Sequence, residues 1–198
     1  MPVKISPRKL SCPWALGYSL DVHTKSSSMI GYNSFGHPVF ETVRSPLGEL
    51  LFRLKNRGDE TVIPDIVDTT AEFVKGLNLQ IDAVVPVPPS NVNRKRQPVI
   101  TIAKGLCEAL GMPLCLDCVT KIRTTSQLKD VFEFAKRTEL LKGAFAVAAQ
   151  QTRGKRWLLI DDLYRSGATA STIARLLIRD GAARKVYRLT LTQTRRLS

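Results

Sequence analysis

The stretch "LLIDDLYRSGAT", Leu158 to Thr169, runs from an apolar segment through two acidic residues into a turn of small residues. Three consecutive apolar residues, Leu158 to Ile160, are typical of a strand that is buried in a parallel sheet. Such a strand would bring Asp161 and Asp162 to its carboxyl end, where open parallel sheets bind ligands. The helix predicted from "TASTIARLLI" begins directly afterwards, so its first backbone N–H groups would point at the same crevice.

These features predict a phosphate site beside a pair of hydrogen-bond acceptors. Small residues from Ser166 to Thr169 would let a phosphate approach the N–H groups at the helix start. The two carboxylates can accept hydrogen bonds from neighbouring sugar hydroxyls or bind Mg²⁺. Phosphate donors beside diol acceptors fit a ribose 5-phosphate. The alternative is an ordinary strand-to-helix turn with an exposed acid pair.

Helix and strand signals alternate along the chain, which predicts an α/β fold with a mostly parallel central sheet flanked by helices. Helices are predicted for "SPLGELLFRLKNRG", "DIVDTTAEFVKGL", "PVITIAKGLCEALG" and "ATASTIARLLIRDG", and strands for "IDAVVPVPP", "GAFAVAA", "RWLLID" and "KVYRLTLTQ". The segment "KSSSMIGYNS" near Lys25 is predicted to be a loop. We expect residues 1–78 to form a leader and helical segment that packs on a core domain of residues 79–198.

Composition narrows the class of protein. With 198 residues, 43% of them hydrophobic, the chain can bury one ordinary core. No apolar run reaches the roughly 20 residues that span a bilayer, and the N-terminus lacks the apolar centre of a secretory signal, so a cytoplasmic protein without membrane contact is expected. Only Cys115 and Cys118 are close together, and two cysteines make an incomplete metal site. We expect ordinary reduced thiols and no zinc, with a redox role for "CLDC" as an alternative.

Positive charge is concentrated in one part of the chain. Of the net charge of +13, nearly all lies in residues 81–198, which hold 21 Lys and Arg against 9 Asp and Glu. A solvated face that aids solubility explains any single basic cluster. Taken together, the clusters indicate anionic partners, either small polyphosphates or nucleic acid.

Longer segments carry a family resemblance. The acid pair followed by Gly-Ala-Thr resembles the phosphoribosyl pyrophosphate (PRPP) motif of type I phosphoribosyltransferases. Segments similar to those of the ComF-like members span about residues 40–193: "VRSPLGELLFRLKNRGD", "VVPVPPSNVNRKR" and "RTTSQLKDVFEFAKRTELLKGAF". Two features depart from the family. The N-terminal four-cysteine zinc knuckle is absent, and "RKRQPVI" replaces the usual Arg-Gly-Phe-Asn-Gln, which affects the acceptor or pyrophosphate site.

The resemblance implies a type I phosphoribosyltransferase fold with a helical N-terminal appendage, and it implies roles for individual residues. Asp161 and Asp162 would hold the ribose hydroxyls and, directly or through water or substrate, Mg²⁺. The loop that wraps the 5-phosphate would consist of Leu163, Tyr164, Arg165, Ser166, Gly167, Ala168 and Thr169. The residues facing the pyrophosphate would be Pro86, Val87, Pro88, Arg94, Lys95 and Arg96. A mobile lid from Lys121 to Arg137 would contribute Arg123, Gln127 and Arg137; alternatively, the two arginines are surface residues and Gln127 caps a helix.

Two classes of function remain open. The first is an enzyme that transfers phosphoribose from PRPP to a base or amine and releases pyrophosphate, although no general base is evident in the sequence. The second is a non-catalytic or regulatory accessory protein that binds PRPP and single-stranded DNA, as ComF-like proteins are associated with competence and DNA handling, and that could have a protein partner there. Aromatic side chains that could stack on bases are Phe132, Phe134, Tyr164 and Tyr187, unless they pack in the core.

Overall fold

A computed structural model describes residues 1–11, 16–91, 95–124 and 134–195. The strands are β1 (Arg8–Leu10), β2 (Gly17–Val22), β3 (Thr24–Tyr32), β4 (Pro38–Arg44), β5 (Ala83–Pro86), β6 (Val119–Lys121), β7 (Phe145–Val147), β8 (Arg156–Tyr164) and β9 (Lys185–Gln193). The α-helices are α1 (Pro46–Phe52), α2 (Ile63–Gly76), α3 (Pro98–Leu110), α4 (Phe134–Leu140), α5 (Ala149–Thr152) and α6 (Ala168–Arg179). Within these residues, no helix is both long enough and apolar enough to cross a membrane.

A five-stranded sheet in the order β1-β2-β9-β8-β5 forms the centre of the molecule. Strands β2, β9, β8 and β5 run parallel, and only the edge strand β1 is antiparallel to its neighbour. The predicted α/β class with a mostly parallel sheet is therefore confirmed. Because the four parallel strands share a direction, their carboxyl ends meet along one edge.

Both faces of the sheet are covered, as the apolar run before the acid pair predicted. Leu158 and Ile160 pack against α1, α2 and α3, whereas Trp157 and Leu159 pack against α6 on the opposite face. The side chains at both the odd and the even positions of this strand are therefore buried, which is why its sequence is a continuous apolar run. It also extends further than predicted: β8 pairs with β9 as far as Tyr164, so the two acidic residues lie within the strand.

The N-terminal residues differ from the expected helical leader. The helical part begins only at Pro46, and β1 and β2 belong to the central sheet, so this sheet crosses the suggested boundary at residue 79, which stays a prediction. The loop predicted for "KSSSMIGYNS" is wrong, because most of that segment is β3, which forms a hairpin with β4. Serine is a common turn residue, yet Ser27 here pairs with Thr42 across the hairpin. The turn itself follows, where the N–H groups of Phe35 and His37 donate to Asn33 Oδ1.

Two further predictions need correction. "GAFAVAA" does form a strand, β7, but it pairs with β6 in a separate two-stranded sheet instead of joining the central one. The expectation of reduced thiols is wrong for "CLDC", because Cys115 and Cys118 form a disulfide directly before β6. Cys107, on α3, is a free buried thiol.

Ser45 fixes the start of α1 against the end of β2. Its buried Oγ accepts a hydrogen bond from the Gly48 N–H at 3.0 Å and donates to the Val22 carbonyl at 2.5 Å. A Cβ atom on Gly48 would lie 2.2 Å from the His23 carbonyl oxygen, so the close approach of helix and strand requires glycine. This contact brings α1, and the turn that follows it, to the carboxyl edge of the sheet.

Replacing this hydroxyl tests the contact. We expect Ser45→Ala to lower the free energy of unfolding by about 2 kcal/mol, because it removes a helix cap and leaves a buried carbonyl without its donor. Urea unfolding of the variant and the wild type measures the loss. Ser27→Ala is the matched control, because its hydroxyl is exposed on the hairpin and its loss should cost at most about 0.5 kcal/mol. Equal losses in the two variants would contradict the assignment.

Candidate functional site

The turn between β8 and α6 forms a pocket at the carboxyl edge of the sheet. Gly167 is the N-cap of α6 with φ of 77° and has no capping side chain, and the Ala168 N–H donates to Ser166 Oγ at 3.3 Å. A Cβ atom at Gly167 would lie 2.4 Å from Tyr164 Cε2, so both the backbone angle and the packing require glycine. The N–H groups of Thr169 and Ala170, which follow in the first turn of α6, can donate to an anion in the pocket. All the predicted phosphate-loop residues line it: Leu163, Tyr164, Arg165, Ser166, Gly167, Ala168 and Thr169.

Three guanidinium groups from separate parts of the chain line the same pocket. Arg137 comes from α4, Arg165 from the turn and Arg188 from β9. Burial, followed by the positive charge of Arg165, lowers the pKa of Arg137. Like charges at this proximity are favourable only when an anion binds between them. The pocket therefore suits a ligand with several negative charges.

Arg188 is a site residue that the sequence interpretation missed. It is 3% exposed, its Nη1 donates to Ser171 Oγ at 3.0 Å, and its guanidinium carbon lies 5.6 Å from the centre of the Tyr164 ring. These contacts join β9 to the first turn of α6 and to the loop. The available signal was an arginine in the middle of the apolar strand segment "KVYRLTLTQ", because a charge at a buried strand position is rare without a specific contact.

The two acidic residues point to opposite faces of the sheet, as neighbours in a strand must. Asp161 faces the phosphate pocket and lines it. Asp162 faces the other side, where its Oδ2 lies 2.7 Å from Lys55 Nζ. The sequence predicted two exposed carboxylates acting together, but the structure brings only Asp161 into the pocket, and neither side chain is fully exposed.

Asp161 has an unusual protonation equilibrium. Burial, and then the negative charge of Asp162, raise the pKa of Asp161 to about 7. The N–H of Asp162, which donates to Asp161 Oδ1 at 2.8 Å, acts in the opposite direction, as do the charges of Lys55 and Arg188. Near neutral pH the carboxyl group can therefore donate to, or accept from, a sugar hydroxyl.

Lys55 is a second residue that the sequence interpretation did not assign to the site. It lies in a π-helical turn, Arg53–Arg57, which continues α1 and ends at Gly58 with φ of 67°. Arg53 Nη2 is 2.6 Å from Asp59 Oδ2, which stabilises this turn. The signal was present in "KNRG", within the family-like segment "VRSPLGELLFRLKNRGD", but only the fold places that segment against β8.

His23, directly after β2, is a third addition. Its Nδ1 lies 3.2 Å from Thr192 Oγ1, whose hydroxyl donates to the Asp162 carbonyl at 3.2 Å. Because that hydroxyl has one proton, His23 Nδ1 must be the donor, and Nε2 carries no proton in the neutral ring. Burial, and then the charges of Lys55 and Arg44, lower the pKa of His23, which favours this neutral form.

The predicted pyrophosphate residues begin beside the site. Pro86 and Val87 are buried at the end of β5, and the Val87 N–H donates to the Ile160 carbonyl at 2.8 Å, next to the acid pair. Pro88 is partly buried and Lys95 is exposed. Arg96 lies 3.3 Å from Glu60 in an exposed ion pair, which costs little to break. Arg94 lies outside the described residues, so the pyrophosphate role of this loop stays a prediction.

The predicted lid residues have different positions. Arg137 lines the pocket. Arg123 is instead exposed, and its Nη2 donates to the Leu140 and Lys142 carbonyls at 3.0 and 2.7 Å, which holds the end of α4. Gln127 lies outside the described residues. Of the lid residues that are described, only Arg137 is therefore in a position to touch a ligand.

Metal ligands at this site are limited. Asp161 and Asp162 point to opposite faces, so this arrangement does not let both carboxylates bind one ion directly. Three guanidinium groups also disfavour a bare cation in the pocket, so Mg²⁺ fits there only together with a phosphate ligand that adds oxygen atoms. In the described part of the chain, the close cluster of potential metal-ligating side chains is Cys115, Asp117 and Cys118, in the "CLDC" loop.

A larger groove elsewhere has no comparable chemistry. It lies between the N-terminal residues Pro2 to Ile5 and helix α2, and its walls include Val3, Phe73 and Leu77. Glu72 is the one charged side chain among the described residues that line it. Because the polar and charged groups instead meet at the start of α6, the phosphate pocket is the better candidate site.

Comparison with known proteins finds one curated relative and several similar solved structures. No protein-family model matches the sequence. The competence protein ComFC of Bacillus subtilis is 30% identical over 156 residues, which is 77% of this chain and 62% of ComFC, so the chain spans less than two thirds of that relative. Similar solved structures include glutamine PRPP amidotransferase of Bacillus subtilis, at 19% identity, with a TM-score of 0.49 over 80% of this chain and 34% of that one. Adenine phosphoribosyltransferase of Saccharomyces cerevisiae is 13% identical, with a TM-score of 0.45 and 83% of each chain covered.

The parallel sheet and the phosphate cradle after its acid-containing strand define a protein of the type I phosphoribosyltransferase class. Within that class, the chain resembles the ComF-like proteins through its similarity to ComFC. The resemblance predicted from the sequence is thus confirmed. The described residues before α1 contribute the strands β1 to β4.

The raised pKa of Asp161 makes a prediction about stability. In the wild type the folded carboxyl holds its proton up to about pH 7, whereas the unfolded one loses it near pH 3.9, so this residue reduces stability as the pH rises between those values. Asp161→Asn removes that loss. We expect the free energy of unfolding of the variant, relative to the wild type, to be about 2 kcal/mol higher at pH 8 than at pH 5, measured by urea unfolding. Asp180→Asn, which changes a surface carboxylate paired with Arg179, should give no such gain. The same difference at both pH values for Asp161→Asn would disprove the assignment.

Proposed function

We propose that the protein binds PRPP and transfers its phosphoribose to a nitrogen of a base or amine, with release of pyrophosphate. One observation carries the proposal: the start of α6, Asp161 and three guanidinium groups surround one pocket. PRPP has a 5-phosphate, a ribose diol and a diphosphate, and this set of groups matches each of them. A cytoplasmic location is part of the proposal.

Each group has a distinct task in this reaction. The N–H groups of α6 and the hydroxyls of Ser166 and Thr169 bind the 5-phosphate, and Asp161 orients a ribose hydroxyl. Arg137 closes one side of the pocket and excludes water from the carbon that pyrophosphate leaves. Mg²⁺, when bound with PRPP, neutralises charge on the departing pyrophosphate.

The acceptor must also lose a proton. As the nitrogen forms its bond to C1 of the ribose, the bond from C1 to the pyrophosphate oxygen breaks, and pyrophosphate leaves with the electron pair. The nitrogen then carries an excess proton. His23 Nε2 is a neutral base at this edge of the sheet, and its orientation is fixed through Thr192.

Calorimetry with PRPP and Mg²⁺ tests the binding step. We expect Asp161→Asn to weaken PRPP binding by about tenfold or more, because it removes a charged hydrogen-bond partner of the ribose. Asp180→Asn is the matched control, since Asp180 is a surface residue that pairs with Arg179, and its affinity should be unchanged. Equal affinities of the wild type and Asp161→Asn would contradict the proposal. A screen of nucleobases and amines for pyrophosphate release then tests transfer.

A second function, in nucleic-acid handling, is favoured by the excess positive charge. Residues 81–198 carry far more positive charge than one PRPP molecule requires, and Lys95, Arg153 and Lys155 are exposed. The relative ComFC is named as a competence protein. We therefore propose, as the alternative, a PRPP-responsive accessory protein that binds single-stranded DNA and has a protein partner in a DNA-handling system.

Salt dependence and competition distinguish these functions. We expect substitution of Lys95, Arg96, Arg153 and Lys155 by serine to flatten the salt slope of single-stranded DNA binding by about 0.7 for each lost phosphate contact. Arg156 is kept, because its Nη2 lies 2.6 Å from Asp82 and its loss would disturb the fold. Fluorescence anisotropy with labelled oligonucleotides, with and without PRPP and Mg²⁺, measures both effects. Absence of DNA binding together with pyrophosphate release would exclude the accessory function.

A further inference from the structure

The "CLDC" loop is chemically distinctive, and the proposed reaction does not use it. Its two sulfur atoms are bonded, with the Cα atoms 5.6 Å apart. Cys118 is fully buried, whereas Cys115 is partly exposed. An external thiol can therefore reach one sulfur, while the other is available inside the protein to re-form the bond.

The surroundings of the pair suit both oxidation states. Gln151 Oε1 lies 3.1 Å from Cys115 Sγ and 3.2 Å from Cys118 Sγ. Its Nε2 donates to Asp117 Oδ2 at 3.2 Å, which fixes the amide in this orientation. In the dithiol form, the amide oxygen can accept an S–H group from either cysteine, so reduction leaves no buried thiol without an acceptor.

A chain of contacts connects this loop to the phosphate pocket. The Cys118 carbonyl accepts from the Ala148 N–H at 3.0 Å, and its side chain belongs to the same buried cluster as Leu141 and Ala144. After β6, the Ile122 N–H donates to the Ala144 carbonyl at 2.9 Å. Arg123 then holds the end of α4, and α4 carries Arg137 into the pocket. The strand that begins at the disulfide is thus the support of α4.

We propose that Cys115 and Cys118 form a dithiol–disulfide exchange site that reacts with an external dithiol, and that its oxidation state controls α4 and the phosphate pocket. In the reduction, a thiolate of the external dithiol attacks Cys115 Sγ, the S–S bond breaks, and Cys118 leaves as a thiolate that takes a proton. The second external thiol, as its thiolate, then attacks the mixed disulfide at the external sulfur. Cys115 is released and protonated, and the external dithiol has become a disulfide after giving up two electrons and two protons.

Asp117 adjusts the rate of this exchange. Its carboxylate lies beside both sulfur atoms, as the shared amide of Gln151 shows. A negative charge here repels the incoming thiolate and disfavours thiolate in the product. We expect Asp117→Asn to be reduced by dithiothreitol several times faster than the wild type, measured by the rate at which the thiols become reactive to maleimide.

Thiol trapping tests the exchange site directly. The protein is equilibrated with mixtures of reduced and oxidised dithiothreitol, alkylated with N-ethylmaleimide, and mapped by peptide mass. As the proportion of reduced dithiothreitol rises, we expect Cys115 and Cys118 to change together from unlabelled to labelled, without a form that is labelled at only one of them. Cys107→Ser is the matched control and should keep the transition, because Cys107 is buried and burial raises its pKa to about 11. Full labelling at every mixture, or a pair protected by bound Zn²⁺ that a chelator removes, would overturn the exchange site.

The connection between the disulfide and the pocket is tested by one measurement without PRPP and one with it. We expect reduction to speed hydrogen exchange in α4 and to weaken PRPP binding by about fivefold, and the Cys115→Ser/Cys118→Ser variant not to respond to reductant. The affinity measurement rests on the proposed function, whereas thiol trapping and hydrogen exchange do not. If PRPP binds neither form, the proposed function fails and the exchange site is decided by trapping alone. Equal exchange rates of α4 in the two states would overturn the control of the pocket.

Discussion

The pairing of β8 with β9 as far as Tyr164 and Gln193 is the constraint on which the site depends. It keeps the backbone extended through the acid pair, and an extended backbone sends adjacent side chains to opposite faces. Asp161 therefore meets the cradle at the start of α6, and Asp162 meets Lys55. Had the strand ended at Ile160, a turn could have brought both carboxylates to one ligand, and Asp162 would not be directed to Lys55 on the opposite face.

This arrangement gathers charges that are unfavourable without a ligand. Arg137 and Arg165 repel each other, and Asp161 is partly buried beside another carboxylate. Isolated charges in a partly buried site cost free energy, which is regained when a ligand supplies the opposite charge. The glycine at the N-cap keeps the helix start open to that ligand. The site is thus suited to an anion with several negative charges, and its local instability follows from this gathering of charges.

The N-terminal segment contributes strands and a histidine at the carboxyl edge of the sheet. Strand β2 places His23 near the acid pair, and β3 and β4 form a hairpin whose side chains are largely exposed. Met29, Tyr32 and Phe40 are among its exposed apolar residues. An isolated two-stranded hairpin is only marginally stable in water, so its contacts with α1 at Arg44 contribute to holding it.

The sequence by itself determined the class of fold and the phosphate cradle, because both depend on neighbours along the chain. Twelve consecutive residues contain, in this order, an apolar run, an acid pair, small residues and a helix start. The chemistry of each part can be inferred from its residues alone. The helices after Ser45 and Pro64 were predictable from caps and periodicity for the same reason. Tertiary structure alone decided which distant residues meet at this edge of the sheet. Arg188 of β9 lines the pocket, whereas Lys55 and His23 lie near Asp162 on the other face. Strand pairing across the whole chain also decided that the leader is β-structure, since its serine-rich segment carries no local signal that distinguishes a hairpin from a loop.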